Sequence, residues 1–186
     1  MKTLLIGLLM ALPAAQAHRP SAADLSLDVA DPTISWVVAG VFASGDEVYT
    51  VNLTYETGFA LPFEIMSPRQ AGMEDHRPAY AVVGPGLPAP SDADRDYLPF
   101  EVEDGLGVYI ERNEQAAREV YFEQVLRRTL YTSGTIALPL QAGESQVWIW
   151  SPEGTTGDWQ LGFGVEEDFS NGGFGAIFDD WSLYAW

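Results

Sequence analysis

The sequence predicts an all-β protein: an antiparallel β-sandwich, jelly-roll-like, with about eight to nine strands and minimal helix. Three observations predict it. Apolar residues alternate with period two in several short runs. Clusters rich in Gly, Pro, Ser and Asp separate those runs. No stretch holds helical periodicity for longer than a turn or two.

In chain order, residues 24–31 are acidic and weakly apolar and read as a lead-in or edge strand. Residues 34–42 are rich in Trp36, Val37, Val38, Val41 and Phe42 and end at the turn Ser44-Gly45-Asp46. Residues 47–54 place Tyr49, Val51 and Leu53 on one face and Thr50, Asn52 and Thr54 on the other, the pattern of a half-buried strand. Leu61, Phe63 and Ile65 line the next strand, which Pro62 assigns to a sheet edge because proline donates no ladder hydrogen bond. Residues 67–77 read as a loop. Residues 79–83 are wholly apolar, as in a central strand. Residues 84–103 read as irregular, 107–112 as a strand, and 113–118 as a helical turn capped by Asn113. Residues 129–140 give one or two strands, 146–151 a strongly β run, 158–165 an alternating strand, and 177–186 a last strand.

Residues 1–17 have a basic start, the apolar run Leu4–Leu12 and an Ala15-Gln16-Ala17 cleavage site, so they read as a signal peptide. Residues 18–186 then form a single exported domain, periplasmic or extracellular, with no apolar run long enough to span a membrane. The chain has no cysteine, which excludes disulfides and thiolate chemistry. It carries 27 acids and a formal charge of −18, which disfavours nucleic acid as a partner and favours cations or basic surfaces.

Gly40, Gly45-Asp46-Glu47-Val48-Tyr49-Thr50-Val51, Ala142-Gly143, the run Val147–Trp150 and Gly157-Asp158-Trp159-Gln160-Leu161 resemble the opening and closing hairpins of bacterial pre-peptidase C-terminal domains. The resemblance implies a jelly-roll-like sandwich, often calcium-stabilised, serving as a non-catalytic accessory module for a glycan or another exported protein. Arg77-Pro78 to Gly84-Pro85-Gly86-Leu87-Pro88 resembles a motif of exported proteins of similar size.

Two metal sites are expected. Cleavage after Ala17 makes His18 the first residue, with a free amine beside its imidazole. With His76, the other histidine, this is similar to the three-nitrogen brace of copper proteins, which suits Cu(II). It implies copper storage, delivery or redox work, and an oxidase or monooxygenase if the chain is an enzyme. Tyr80 is an axial candidate. Second, Asp92, Asp94, Asp96 and Glu103 fall at the spacing of an EF-hand calcium loop, although Tyr97 replaces its glycine and Pro99 lies inside it. The plainer readings are a frayed N-terminal tail and a solvated acidic loop. Trp148 and Trp150 share one face of their strand and offer a sugar-stacking platform if that face is exposed. No P-loop, dinucleotide fingerprint or G-x-S-x-G elbow occurs.

Overall fold

The computed structural model describes residues 19–22, 25–123 and 127–166. Within them lie twelve strands and one short helix: β1 (Arg19–Ala22), β2 (Ser26–Val29), β3 (Trp36–Phe42), β4 (Val48–Tyr55), β5 (Phe59–Pro68), β6 (Ala79–Gly84), α1 (Asp92–Tyr97), β7 (Gly107–Glu111), β8 (Glu119–Glu123), β9 (Arg128–Thr132), β10 (Ile136–Leu140), β11 (Gly143–Trp150) and β12 (Gly157–Phe163). They form two sheets. The larger runs β1-β3-β12-β5-β9-β8, with β10 also on β5; the smaller runs β2-β4-β11-β6-β7. All pairings are antiparallel except β1 with β3 and β2 with β4. The all-β sandwich expected from the sequence is therefore the fold, with more strands than expected.

The period-two pattern explains the core. Tyr49, Val51 and Leu53 of β4, Val147 and Ile149 of β11, and Tyr80 and Val82 of β6 face Val38 and Phe42 of β3, Leu61, Phe63 and Ile65 of β5, and Trp159, Leu161 and Phe163 of β12. Each large apolar side chain so buried contributes about 1.5–3 kcal/mol. Trp159 is stacked with Phe42 and edge-on to Tyr49. A β-carbon at Gly40 would lie 2.6 Å from its indole, so the glycine admits the ring.

Where β11 and β6 lie, the outward face of the smaller sheet is covered as well. Trp148 and Trp150 of β11 pack with Ala79, Ala81 and Val83 of β6 under Tyr97, Leu98 and Val102. Tyr97 meets Trp150 edge-on at 5.4 Å. The two tryptophans are thus closed to a ligand, and β6, buried at all six positions, is apolar because neither of its faces meets water.

Pro62 is not on an edge strand. β5 pairs with β12 on one side and with β9 and β10 on the other. The proline is tolerated because β12 pairs only with residues 63–66, so the side next to Pro62 carries no strand partner from β12. β9 and β10 continue one line along β5. Thr132 pairs with Met66 and Ile136 with Phe63, so this line holds one extra residue, a bulge at Ser133-Gly134 with Gly134 at φ 79°. The lead-in 24–31 is an edge strand, β2. The strand expected at 177–186 and the signal peptide expected at 1–17 lie outside the described residues.

Candidate functional site

β8 closes one end of the larger sheet. Its sequence, Glu119-Val120-Tyr121-Phe122-Glu123, joins a β-branched residue to two aromatics, which favours a strand. β9 holds it in register, pairing Val120 with Tyr131, Tyr121 with Leu130 and Phe122 with Thr129. Val120 and Phe122 therefore share one face and Tyr121 takes the other. Both faces are open: Val120 is 49%, Tyr121 41% and Phe122 54% exposed. The far edge of β8 pairs with no described strand. Tyr121 Oη donates to Glu123 Oε2 at 2.9 Å. Burial, that bond, and the charges of Glu123 and Glu64 push its phenol up to about 12.

The start of β8 is pinned by Arg118. One terminal nitrogen donates to the carbonyl of His76 at 3.0 Å, and the other to Ser67 Oγ at 2.5 Å. The guanidinium lies 4.1 Å over the Tyr131 ring. Burial and then the neighbouring Arg77 bring it down to about 10, still charged at neutral pH.

His76 joins the same junction. It is 2% exposed. Its Nε2 lies 3.1 Å from the carbonyl of Asp158, which can only accept, so the proton is on Nε2. Nδ1 then accepts from Thr155 Oγ1 at 2.9 Å, and Thr155 accepts from Ser151 Oγ at 2.9 Å. Phe42 packs edge-on against the ring. Gly157, at φ 146°, brings the backbone so close that a β-carbon would sit 3.2 Å from the imidazole. Burial, and less strongly the Arg118 charge, hold the ring neutral against the raising effect of the Asp158 bond. The histidine is a tie between the loop before β6 and the β11–β12 turn.

His18 lies outside the described residues. Arg19, which follows it, pairs with Trp36, whereas His76 lies against Phe42 at the other end of β3. Those six steps amount to about 20 Å. A brace joining the mature N-terminus to His76 would need that distance closed and a ring nitrogen released from Thr155 or Asp158. Tyr80, the axial candidate, is fully buried in the core.

The acidic spacing at 92–103 also resolves differently. Asp92, Asp94 and Asp96 lie on a helix, not in a loop. At 3.6 residues per turn, Asp94 points about 200° away from Asp92, so the three carboxylates do not converge. Ser91 and Asp94 form a capping box, and Asp94 also pairs with Arg112 at 3.1 Å. The Ser91 bonds, ahead of Arg112, hold the Asp94 carboxyl below its usual range. Glu103 is exposed in a turn. Among the described residues, no group of three or more His, Asp or Glu side chains is placed to hold a metal ion. The expected helical turn at 113–118 is absent. Asn113 is buried at φ 53°, with Nδ2 donating to the carbonyl of Pro78.

Sequence reading left residues 119–128 unassigned and so missed β8. The run Val120-Tyr121-Phe122 carried the signal, but three apolar residues give too short a window for periodicity to decide.

These features define an all-β sandwich whose larger sheet ends, among the described residues, at the exposed strand β8. No family model matches the chain, and no curated protein matches it. Among solved structures it is similar to the pre-peptidase C-terminal domain of collagenase from Bacillus anthracis, with a TM-score of 0.41 and 7% identity, covering 74% of this chain and 93% of that one.

Proposed function

We propose that the chain is an exported, non-catalytic binding module that takes an extended segment of a partner protein onto the β8 edge. The observation that carries this reading is the edge of β8, unpaired among the described residues, beside three consecutive exposed apolar side chains. Unpaired N–H and C=O groups along an edge template another strand, and natural sheets usually blunt such edges. Backbone hydrogen bonds supply affinity; Val120 and Phe122 on one face and Tyr121 on the other read the incoming side chains. The pinned Arg118 keeps the strand in place before the partner arrives, which lowers the ordering cost. A second copy is the poorer occupant, because each chain carries −18.

The test is selection of displayed random peptides against the mature chain. The enriched peptides are β-forming, and their binding falls at least about tenfold with Val120→Ser/Phe122→Ser, the loss expected when two apolar anchors go. Failure to enrich any peptide, or binding indifferent to the double substitution, contradicts the reading.

A further inference from the structure

The smaller sheet carries a second surface. On its outward side, Asp28 of β2, Asn52 of β4 and Gln146 of β11 are register partners and stand in one row across three strands. They are joined by hydrogen bonds. Trp148 Nε1 donates to Gln146 Oε1 at 3.1 Å, Gln146 Nε2 to Asn52 Oδ1 at 3.1 Å, and Asn52 Nδ2 to Asp28 Oδ1 at 2.7 Å and to Ser26 Oγ at 3.3 Å. The ends fix the direction of the whole chain. An indole N–H only donates and an ionised carboxylate only accepts, so neither amide can flip without losing its bonds. The row spans about 10 Å, two strand spacings.

Such a row presents fixed hydrogen-bonding groups at low entropic cost. One N–H of Gln146, one oxygen of Asp28 and the hydroxyl proton of Ser26 are not used within the row. Sugar hydroxyls, which donate and accept at once, match that mixture of one amide donor and one carboxylate acceptor. At the end of the row the Phe100 ring stands edge-on to Trp148 at 5.4 Å and is 47% exposed. An exposed ring beside a polar row offers the apolar C–H face of a sugar a surface to lie on. Charge selects among glycans. The strands β2, β4 and β11 contain no lysine or arginine, and Asp28 and Glu144 are exposed on this side. Anionic polysaccharides are therefore repelled.

We infer that the row Asp28-Asn52-Gln146, with Phe100 at its end, is a binding site for a neutral polysaccharide. It lies on the sheet opposite β8 and does not depend on the strand-docking reading.

Native gels containing a mixed-linkage β-glucan, a galactomannan, a xylan or polygalacturonate test this directly. At least one neutral polymer retards the mature chain and polygalacturonate does not. Asn52→Ala/Gln146→Ala weakens that retention at least about tenfold, the loss of two good hydrogen bonds. Phe100→Ala weakens it too, while Val120→Ser/Phe122→Ser leaves it unchanged. Gln146→Glu, close in shape but without the donor, loses retention while still unfolding in one cooperative transition above the assay temperature, which separates a binding defect from a folding one. No retardation by any neutral polymer, retention that survives the Asn52/Gln146 substitutions, or stronger retention by polygalacturonate would each overturn the inference.

Discussion

β6 and β8 are short strands built from similar residues, Ala79-Tyr80-Ala81-Val82-Val83-Gly84 and Glu119-Val120-Tyr121-Phe122-Glu123, with opposite fates. β6 lies between β11 and β7, roofed by the core on one face and by the 97–102 segment on the other. Among the described residues β8 has one strand partner, and both its faces are open. Both leave the same polar junction, where the Arg118 side chain grips the backbone of His76. The difference teaches that an apolar strand is core only when neighbours cover it; at a sheet end the same chemistry stays exposed.

Charge separates the two strands most sharply. Val82→Asp buries an unpaired carboxylate in the core and abolishes the cooperative transition in a thermal melt, whereas Val120→Asp leaves the chain folded within about 0.5 kcal/mol. Equal losses would erase the distinction between them.

The junction comes next. His76→Ala removes a buried ring and strands the Asp158 carbonyl, at a cost of roughly 2–4 kcal/mol in denaturant unfolding. Its pH dependence has a definite sign. The folded ring is held below the ordinary 6.5, so its contribution is whole above that value and declines as pH falls from there toward the lower folded value. Stability measured across this range falls with acid in the wild type. In His76→Gln that part of the slope is gone; an unchanged slope would remove His76 from the account.

A smaller effect concerns the roof over β6. Asp94→Ala breaks the capping box and the Arg112 pair, and lowers stability by about 1 kcal/mol, the usual worth of a cap. A calcium ligand behaves differently: its loss matters with calcium present and not in EDTA. The same decrement in both conditions assigns Asp94 to the cap. The smallest effect is that of Val120→Ser/Phe122→Ser on stability, within about 0.5 kcal/mol, despite its effect on peptide binding.

Much of the fold was legible because period-two alternation survives wherever one face is wet. Tyr49-Val51-Leu53 and Trp159-Leu161-Phe163 announced their core faces, and the wholly apolar Ala79–Val83 announced a central strand. What was not legible depended on neighbours distant in sequence. Pro62 is allowed inside a sheet only because β12 stops short of it. The acidic spacing 92–96 suits a calcium loop or a helix, and Ser91, by capping, tips it toward the helix. Trp148 and Trp150 look like a platform until residues 97–102 cover them. His76 looked available because sequence shows neither Thr155 nor the Asp158 carbonyl beside it. The row Asp28-Asn52-Gln146 joins three separate strands, so only their register reveals it.

Amide hydrogen exchange on residues 18–186, free and bound to a peptide selected against them, tests the central claim most directly. The account predicts that amides of 119–123 exchange far faster than those of 79–84 in the free protein, and that peptide binding slows 119–123 while leaving 79–84 unchanged. Protection of β8 already equal to that of β6 in the free chain, or peptide binding that slows another part of the sandwich instead, would contradict it.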